Sequence, residues 1–223
     1  MNRMILYSCL AAAAMYAQTN SDIKTSFSDP ERPGTVKIRQ TNGSITVRGY
    51  SGKEVLIESK PVQKKLPLME MRVSEEGNRM TIAAPMNSGV VVQVPFQTSL
   101  QLNAANGAIL VERVLGEIDV QSANGSIVLR GMAGAVVAHS QNGSIVAIFD
   151  KVDAHRPMSF SSMNGKIDVT FPADLKAIFK VMDQRGAVHS DFDMTTANGG
   201  PELQFKNYNG GIYIRKAAKK AGT

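Results

Sequence analysis

Five glycines stand nine residues apart, at Gly107, Gly116, Gly125, Gly134 and Gly143. Every second one follows an asparagine, in Asn106-Gly107, Asn124-Gly125 and Asn142-Gly143, so the full repeat is eighteen residues. A fixed period of this kind belongs to chains that wind or stack instead of collapsing around one centre. Aligned on glycine, each half-repeat carries an apolar residue two places on and a second two places later: Ile109 with Val111, Ile118 with Val120, Ile127 with Leu129, Val136 with Ala138 and Ile145 with Ala147. Spacing of two puts both side chains on one face of a strand.

The same phrase opens earlier, in Asn42-Gly43-Ser44-Ile45-Thr46-Val47. It returns in Asn164-Gly165-Lys166-Ile167-Asp168-Val169, in Gly186-Ala187-Val188 and in Asn209-Gly210-Gly211-Ile212. Its spacing loosens after Gly143, as small insertions at turns would produce. Before the repeat, Val36, Ile38, Ile45, Val47, Val55, Ile57, Met71, Val73, Met80, Ile82, Val90, Val92 and Val94 form short alternating runs, and no long stretch has a helical period. The fold class is therefore all-β. A β-solenoid of about 18–23 residues per coil is the expected architecture. Asn106, Asn124 and Asn142 would form a side-chain ladder, with Ser122 and Ser140 stacked two places earlier. The alternative is an antiparallel meander with a type I′ turn at each Asn-Gly. It leaves unexplained why the asparagine recurs only at every second turn. The glycines are expected to supply the positive φ of sharp corners. Arg185-Gly186 stands where the pattern expects Asn-Gly, so the ladder should break there. Because Ile127 should face inward and Val128 outward, Ile127→Asp is expected to unfold coils that Val128→Asp leaves intact.

Trp is absent and aromatic residues make up only 6% of the chain, so the core is expected to consist of Val, Ile, Leu, Ala and Met. Residues 1–17 read as an export signal: Arg3 is positive, Met4 to Tyr16 is almost unbroken apolar sequence, and small residues precede Gln18. The cut is expected after Ala17, with Ala14 as the alternative. The run is too short to cross a bilayer, so no integral span is expected in the mature chain. Cys9, the only cysteine, lies inside this leader, and Leu6-Tyr7-Ser8-Cys9 fits a lipoprotein box poorly. The mature chain then has no disulfide, cysteine ligand or cysteine nucleophile. Residues 18–34 read as a polar lead-in ending in Pro33-Gly34, residues 35–215 as the repeat domain, and 216–223 as a basic disordered tail. Such a tail could meet anionic lipid, whereas export sets nucleic acid aside as a partner.

The segments Asn42-Gly43-Ser44-Ile45-Thr46-Val47-Arg48-Gly49-Tyr50 with Lys53-Glu54-Val55-Leu56-Ile57, Val92-Gln93-Val94-Pro95 leading into Leu100-Gln101-Leu102, and Asn164-Gly165-Lys166-Ile167-Asp168-Val169 running into Phe171-Pro172-Ala173 carry a resemblance. In this order they resemble the bacterial putative-adhesin β-strand-repeat family of unknown function, over about residues 35–215. The resemblance implies an exported, all-β, solenoid-like domain, periplasmic or on the cell surface, and brings no catalytic residues.

The chemistry sought in the sequence is sparse. Calcium-binding rolls need aspartates in their glycine turns, but the turns here carry Asn, Ser and Ala, and Asp119 and Asp168 sit isolated on strands. His139, His155 and His189 share no ligand spacing. A grouping of His189 and Asp191 with Ser190 fails because adjacent strand residues point to opposite faces. No catalytic, cofactor or metal residue is assigned. The expected role is non-enzymatic: an adhesin-like envelope domain that binds an extended glycan or protein, or serves structurally. Outward residues suited to binding include Arg130, His139 and Tyr213. Two alternatives stand beside it, an ectodomain of an envelope-stress or signalling system and a carbohydrate-active enzyme on a β-helix.

Overall fold

The structure, a computed structural model, describes residues 22–61, 71–194 and 199–218. The leader and Lys219 and Lys220 of the tail lie outside these residues. The described chain contains no helix. Its strands, in chain order, are β1 (Asp22–Ser26), β2 (Thr35–Asn42), β3 (Ile45–Tyr50), β4 (Glu54–Pro61), β5 (Arg72–Glu76), β6 (Arg79–Ala83), β7 (Ser88–Pro95), β8 (Ser99–Asn106), β9 (Ile109–Glu112) and β10 (Ile118–Asn124). They continue as β11 (Ile127–Met132), β12 (Val136–Asn142), β13 (Ile145–Phe149), β14 (Met158–Asn164), β15 (Ile167–Phe171), β16 (Ile178–Asp183), β17 (Val188–Ser190), β18 (Glu202–Asn209) and β19 (Ile212–Lys216).

These strands form two mixed sheets. One has ten strands in the order β1-β4-β7-β3-β9-β11-β13-β15-β19-β17, and the other has nine in the order β16-β18-β14-β12-β10-β8-β2-β6-β5. From β6 onward the chain alternates between them at every strand. Each Asn-Gly therefore passes the chain to the opposite sheet and does not close a hairpin. Strands of successive repeats pair in parallel, with Val120 beside Ala138 and Ile127 beside Ile145, one full repeat apart. Among the described residues antiparallel pairing is confined to β1 with β4, β4 with β7 and β5 with β6. The meander alternative is thereby excluded for the repeats.

Register turns the two-residue alternation into columns. On the ten-stranded sheet, Ile45, Ile109, Ile127, Ile145, Ile167 and Ile212 stand in one row, each fully buried. Facing them, Ile38, Leu102, Val120, Ala138, Phe160 and Phe205 form a second row, also buried. Each such side chain contributes about 1.5–3 kcal/mol, and together the rows hold the sheets face to face. Val128 is half-buried on the outer side, as its place in the alternation requires.

The core is not purely aliphatic. Phe149 stacks on Phe171 with ring centroids 5.0 Å apart, Phe160 on Phe205 at 5.2 Å, and the two pairs meet edge to face at 6.1–6.5 Å. These rings sit where the repeat lengthens beyond Phe149. There the column passes from Ala138 to Phe160, a small residue giving room to a large one.

The expected positive φ is found at the corners Gly43 (143°), Gly107 (154°), Gly165 (156°) and Gly210 (129°), and a second reason for glycine stands beside it. Of Gly107, Gly125 and Gly143, only Gly107 is among the positive-φ glycines. What all three share is contact. A Cβ on Gly125 would overlap the carbonyl oxygen of Gly107 and stand 2.6 Å from its carbon, and a Cβ on Gly143 would meet Gly125 in the same way. The backbones of successive turns pass too closely for any side chain. The carbonyls at these crossings also serve as acceptors: Ser162 Oγ donates to Gly143 O at 3.1 Å and Ser140 Oγ to Gly125 O at 3.4 Å.

Both ends depart from sequential order. β2 and β3 lie between β8/β9 and β6/β7, so the second unit in the chain lies outside the first. At the other end β18 and β19 insert between β14/β15 and β16/β17. The loosened spacing after Gly143 comes from longer connections, 150–157 between β13 and β14 and 172–177 between β15 and β16, and beyond Asn164 the strand order changes as well. Val188, expected inside, is 40% exposed because β17 is an edge strand with no strand of the described residues beyond it. The expected lead-in is also ordered: Asp22–Ser26 pairs with β4, and Phe27 is buried. Lys216 closes β19 and does not belong to a tail.

Candidate functional site

Asn-Gly turns at one side of the molecule bring six asparagines into a single line. Asn106 donates its Nδ2 to Asn42 Oδ1 at 2.9 Å, Asn124 to Asn106 at 2.9 Å, Asn142 to Asn124 at 2.9 Å, Asn164 to Asn142 at 2.8 Å and Asn209 to Asn164 at 2.8 Å. The expected three-member ladder thus doubles in length. It skips Arg185, which lies over the Tyr208 ring at 4.8 Å. Beneath it runs a buried row of Gln40, Ala104, Ser122, Ser140, Ser162 and Asn207, polar except at Ala104. Ser140 and Ser162 join one turn to the next through Gly125 O and Gly143 O, whereas Ser122 Oγ and Asn207 Nδ2 have no partner, and each inner amide of the ladder already has a partner above and below it. The role of the ladder is cohesion, which points away from this edge of the molecule for a ligand, and the outer sheet faces offer broad surfaces instead.

On the nine-stranded sheet, strand register aligns Arg39, Asn103, Gln121, His139, Ser161 and Lys206 in one outward column. Five of the six are exposed and Ser161 is half-buried. A parallel column beside it contains Lys37, Gln101 and Asp119. Between the two columns a shallow depression of about 270 Å³ opens over Lys37, Arg39, Gln101, Asn103, Asp119 and Gln121. The face offers donors and acceptors repeated at the interstrand spacing of about 4.8 Å. That repeat suits a partner that itself repeats along a line.

His139 Nδ1 and Ser161 Oγ lie 2.8 Å apart on this face. The pair was not legible because twenty-two residues separate the two in sequence. Nucleophilic use would need a third group to orient the imidazole, and no carboxylate is hydrogen-bonded to His139 in the described structure. Ser190, in the grouping considered from sequence, hydrogen-bonds Phe192 instead. Among the described residues no three His, Cys, Asp or Glu side chains gather as metal ligands would.

The ten-stranded sheet presents a different face. Arg48 Nε donates to Glu112 Oε2 at 3.0 Å, and Arg130 approaches the same carboxylate at 3.8 Å from the far side. Half of this row escapes sequence reading because Arg48 lies sixty-four residues from Glu112. Further along, Tyr213 stacks on His189 at 5.0 Å, with Arg215 at 5.3 Å and Lys166 at 6.0 Å from its ring. Asp168 accepts from Arg215 at 2.8 Å and lies 3.2 Å from Lys166. Burial would raise the Asp168 carboxyl, but the hydrogen bonds and charges of Arg215 and Lys166 outweigh it and hold the group below its ordinary value. The same pairing raises Arg215. The outward residues expected to bind are therefore dispersed. Arg130 and Tyr213 share a sheet but are three strands apart, and His139 lies on the opposite sheet. Asp119 and Asp168 are likewise on different sheets.

No family model matches the chain, and no curated protein matches it. A solved structure is similar in shape: a putative cell adhesion protein from Clostridium sporogenes, 11% identical, with a TM-score of 0.51, covering 88% of this chain and 99% of its own. At that identity the likeness concerns the fold. No helix among the described residues is long and apolar enough to cross a membrane.

Proposed function

We propose that this chain is an exported, non-catalytic, adhesin-like module. Its paired sheets are the two walls of a β-solenoid, and its nine-stranded face lies along an extended partner at the cell envelope, either a glycan or a protein. The solenoid reading is supported by the strand-by-strand alternation between sheets and by the six-membered asparagine ladder. The single observation that carries the binding role is the column Arg39-Asn103-Gln121-His139-Ser161-Lys206, in register across six strands and exposed at all but the half-buried Ser161. Stacked-repeat proteins use extended faces of this kind for recognition. The likeness to a putative cell adhesion protein agrees with the role, as does the leader-like sequence of residues 1–17.

The test is retention of envelope material by the immobilised chain, compared with a Gln121→Ala/His139→Ala double variant. These two side chains are exposed, so the variant keeps the wild-type melting temperature. The reading expects a glycan or protein retained by the wild type and lost from the variant. Equal retention by both would move binding off this face, and hydrolysis of a retained glycan would replace the non-catalytic role.

A further inference from the structure

A second surface, unrelated to either sheet face, is built from the segment that the sequence presents as a lead-in. Residues 27–34 fold against the turns after β3 and β7 and enclose a groove of about 370 Å³ lined by Phe27, Pro33, Tyr50, Phe96, Thr98 and Leu115. We propose that this groove binds a neutral carbohydrate, with pyranose rings seated on Tyr50 and Phe96.

The groove is preorganised. Asn78, held at φ 63°, clamps its outer wall: Asn78 Nδ2 donates to Asp29 O at 2.9 Å and Arg32 O at 3.2 Å, and Asn78 Oδ1 accepts from Asp29 N at 2.7 Å. Lys53 ties that wall to the β3 turn through Glu31. The Tyr50 ring lies flat enough on Gly52 that a Cβ there would overlap it, and its hydroxyl donates to Glu54 O at 2.7 Å. The ring is thus fixed in orientation and remains half-buried. Phe96 is half-buried as well, and Leu115 is 45% exposed. Fixed rings with accessible faces lose little entropy when a ligand covers them.

Three features set the chemical class. First, the volume lies at the low end of the range for small-molecule sites, about 300–1,000 Å³. Second, Thr98 lines the groove and its buried hydroxyl has no partner, so a rotation that turns it to the groove would let a ligand hydroxyl satisfy it. Third, the rim charges are already paired, Glu31 with Lys53 and Arg32 with Asp29, which favours a neutral ligand over an acidic one. An extended peptide is poorly served, because β3, β7 and β8 each have hydrogen-bonded neighbours on both sides and offer no free edge. Apolar ring faces beside hydroxyl and amide groups match a sugar's alternation of C–H faces and hydroxyls.

The experiment is a titration of the full chain, followed by NMR, with three probes: cellobiose, a disaccharide of N-acetylglucosamine, and a proline-rich decapeptide. The chain lacks Trp, so tyrosine fluorescence gives a parallel readout. At least one disaccharide is expected to shift the resonances of Tyr50, Phe96 and Leu115 together. Phe96→Ala should weaken that disaccharide about tenfold, as loss of one aromatic contact implies, and Phe96→Tyr should restore it. Gln121→Ala/His139→Ala should leave the titration unchanged, so failure of this site and failure of the sheet-face reading are separable. Shifts produced by the peptide and by neither sugar would overturn the proposal. So would sugar shifts confined to other residues, or silence from all three probes.

Discussion

Replacing Gly125 with alanine isolates the physical reason for the repeat. If the glycines served only to permit positive φ, Gly125→Ala would cost almost nothing, since Gly125 is not among the positive-φ residues. The structure gives the opposite expectation. The new Cβ would overlap Gly107 O and lie 2.6 Å from Gly107 C, and these are backbone atoms fixed by Gly107 N donating to Asn124 O at 2.9 Å. Neither can swing aside, so two turns must separate locally. Overpacking of this kind costs about 1–3 kcal/mol, and a backbone obstacle puts the substitution at the upper end. A chain of this size loses about 2–4 °C per kcal/mol, so the melting temperature should fall by about 6–12 °C. Gly89→Ala is the control. It too lies outside the positive-φ set, but the nearest atom to its Cβ is the Ser44 hydroxyl at 2.9 Å, which can rotate away. Its cost should stay below about 1 kcal/mol. Urea unfolding and calorimetry on both variants, with unchanged m-values, decide the matter. Equal losses at the two positions would refute the close-approach argument.

Three further outcomes follow from other parts of the stack. Ile127→Asp places a charge in the fully buried isoleucine row and should abolish cooperative unfolding, whereas Val128→Asp on the outer side should keep a near wild-type melting curve; matching curves would contradict the facing. Asn142→Ala removes one donated and one accepted amide bond from the ladder, and at about 0.5–1.5 kcal/mol each it should lower the urea midpoint measurably, while Gln141→Ala beside it should not. Asp168 has a lowered folded pKa, so its pairing with Arg215 stabilises the fold above the ordinary value of 3.8 and is lost as pH falls from there through the folded value. Calorimetry from about pH 5 to about pH 2 should therefore show a smaller loss of melting temperature for Asp168→Asn than for the wild type, and parallel losses would remove Asp168 from the account.

The interior of the stack was legible because period and alternation are local. Glycine spacing fixed the repeat, and the apolar residues two places apart identified most of the buried aliphatic positions, though not those of β14 and β18 such as Met158 and Leu203, nor the rings of Phe160 and Phe205. Long-range choices were not legible. Nothing in the residues around Asn164 says that its next neighbour in the ladder is Asn209, forty-five residues on, because both candidates present the same strand edge. The exposure of Val188 follows from that choice alone. The phenylalanine cluster escaped notice because a low aromatic total says nothing about where the few rings gather. For binding surfaces the limit is similar: His139 and Ser161 become neighbours only through register, and the groove beside Tyr50 depends on a short polar segment whose fold is set by Asn78, about fifty residues away. The outward positions of Arg130, His139 and Tyr213 were readable from alternation, but their separation onto distant parts of two sheets was not.

Cross-strand NMR contacts on isotopically labelled protein bear most directly on the stacked, in-register arrangement. Contacts between Val120 and Ala138, and between Ile127 and Ile145, each eighteen residues apart in parallel register, are the expected result. Contacts folded back across each Asn-Gly, such as Ala104 with Ile109, would contradict it.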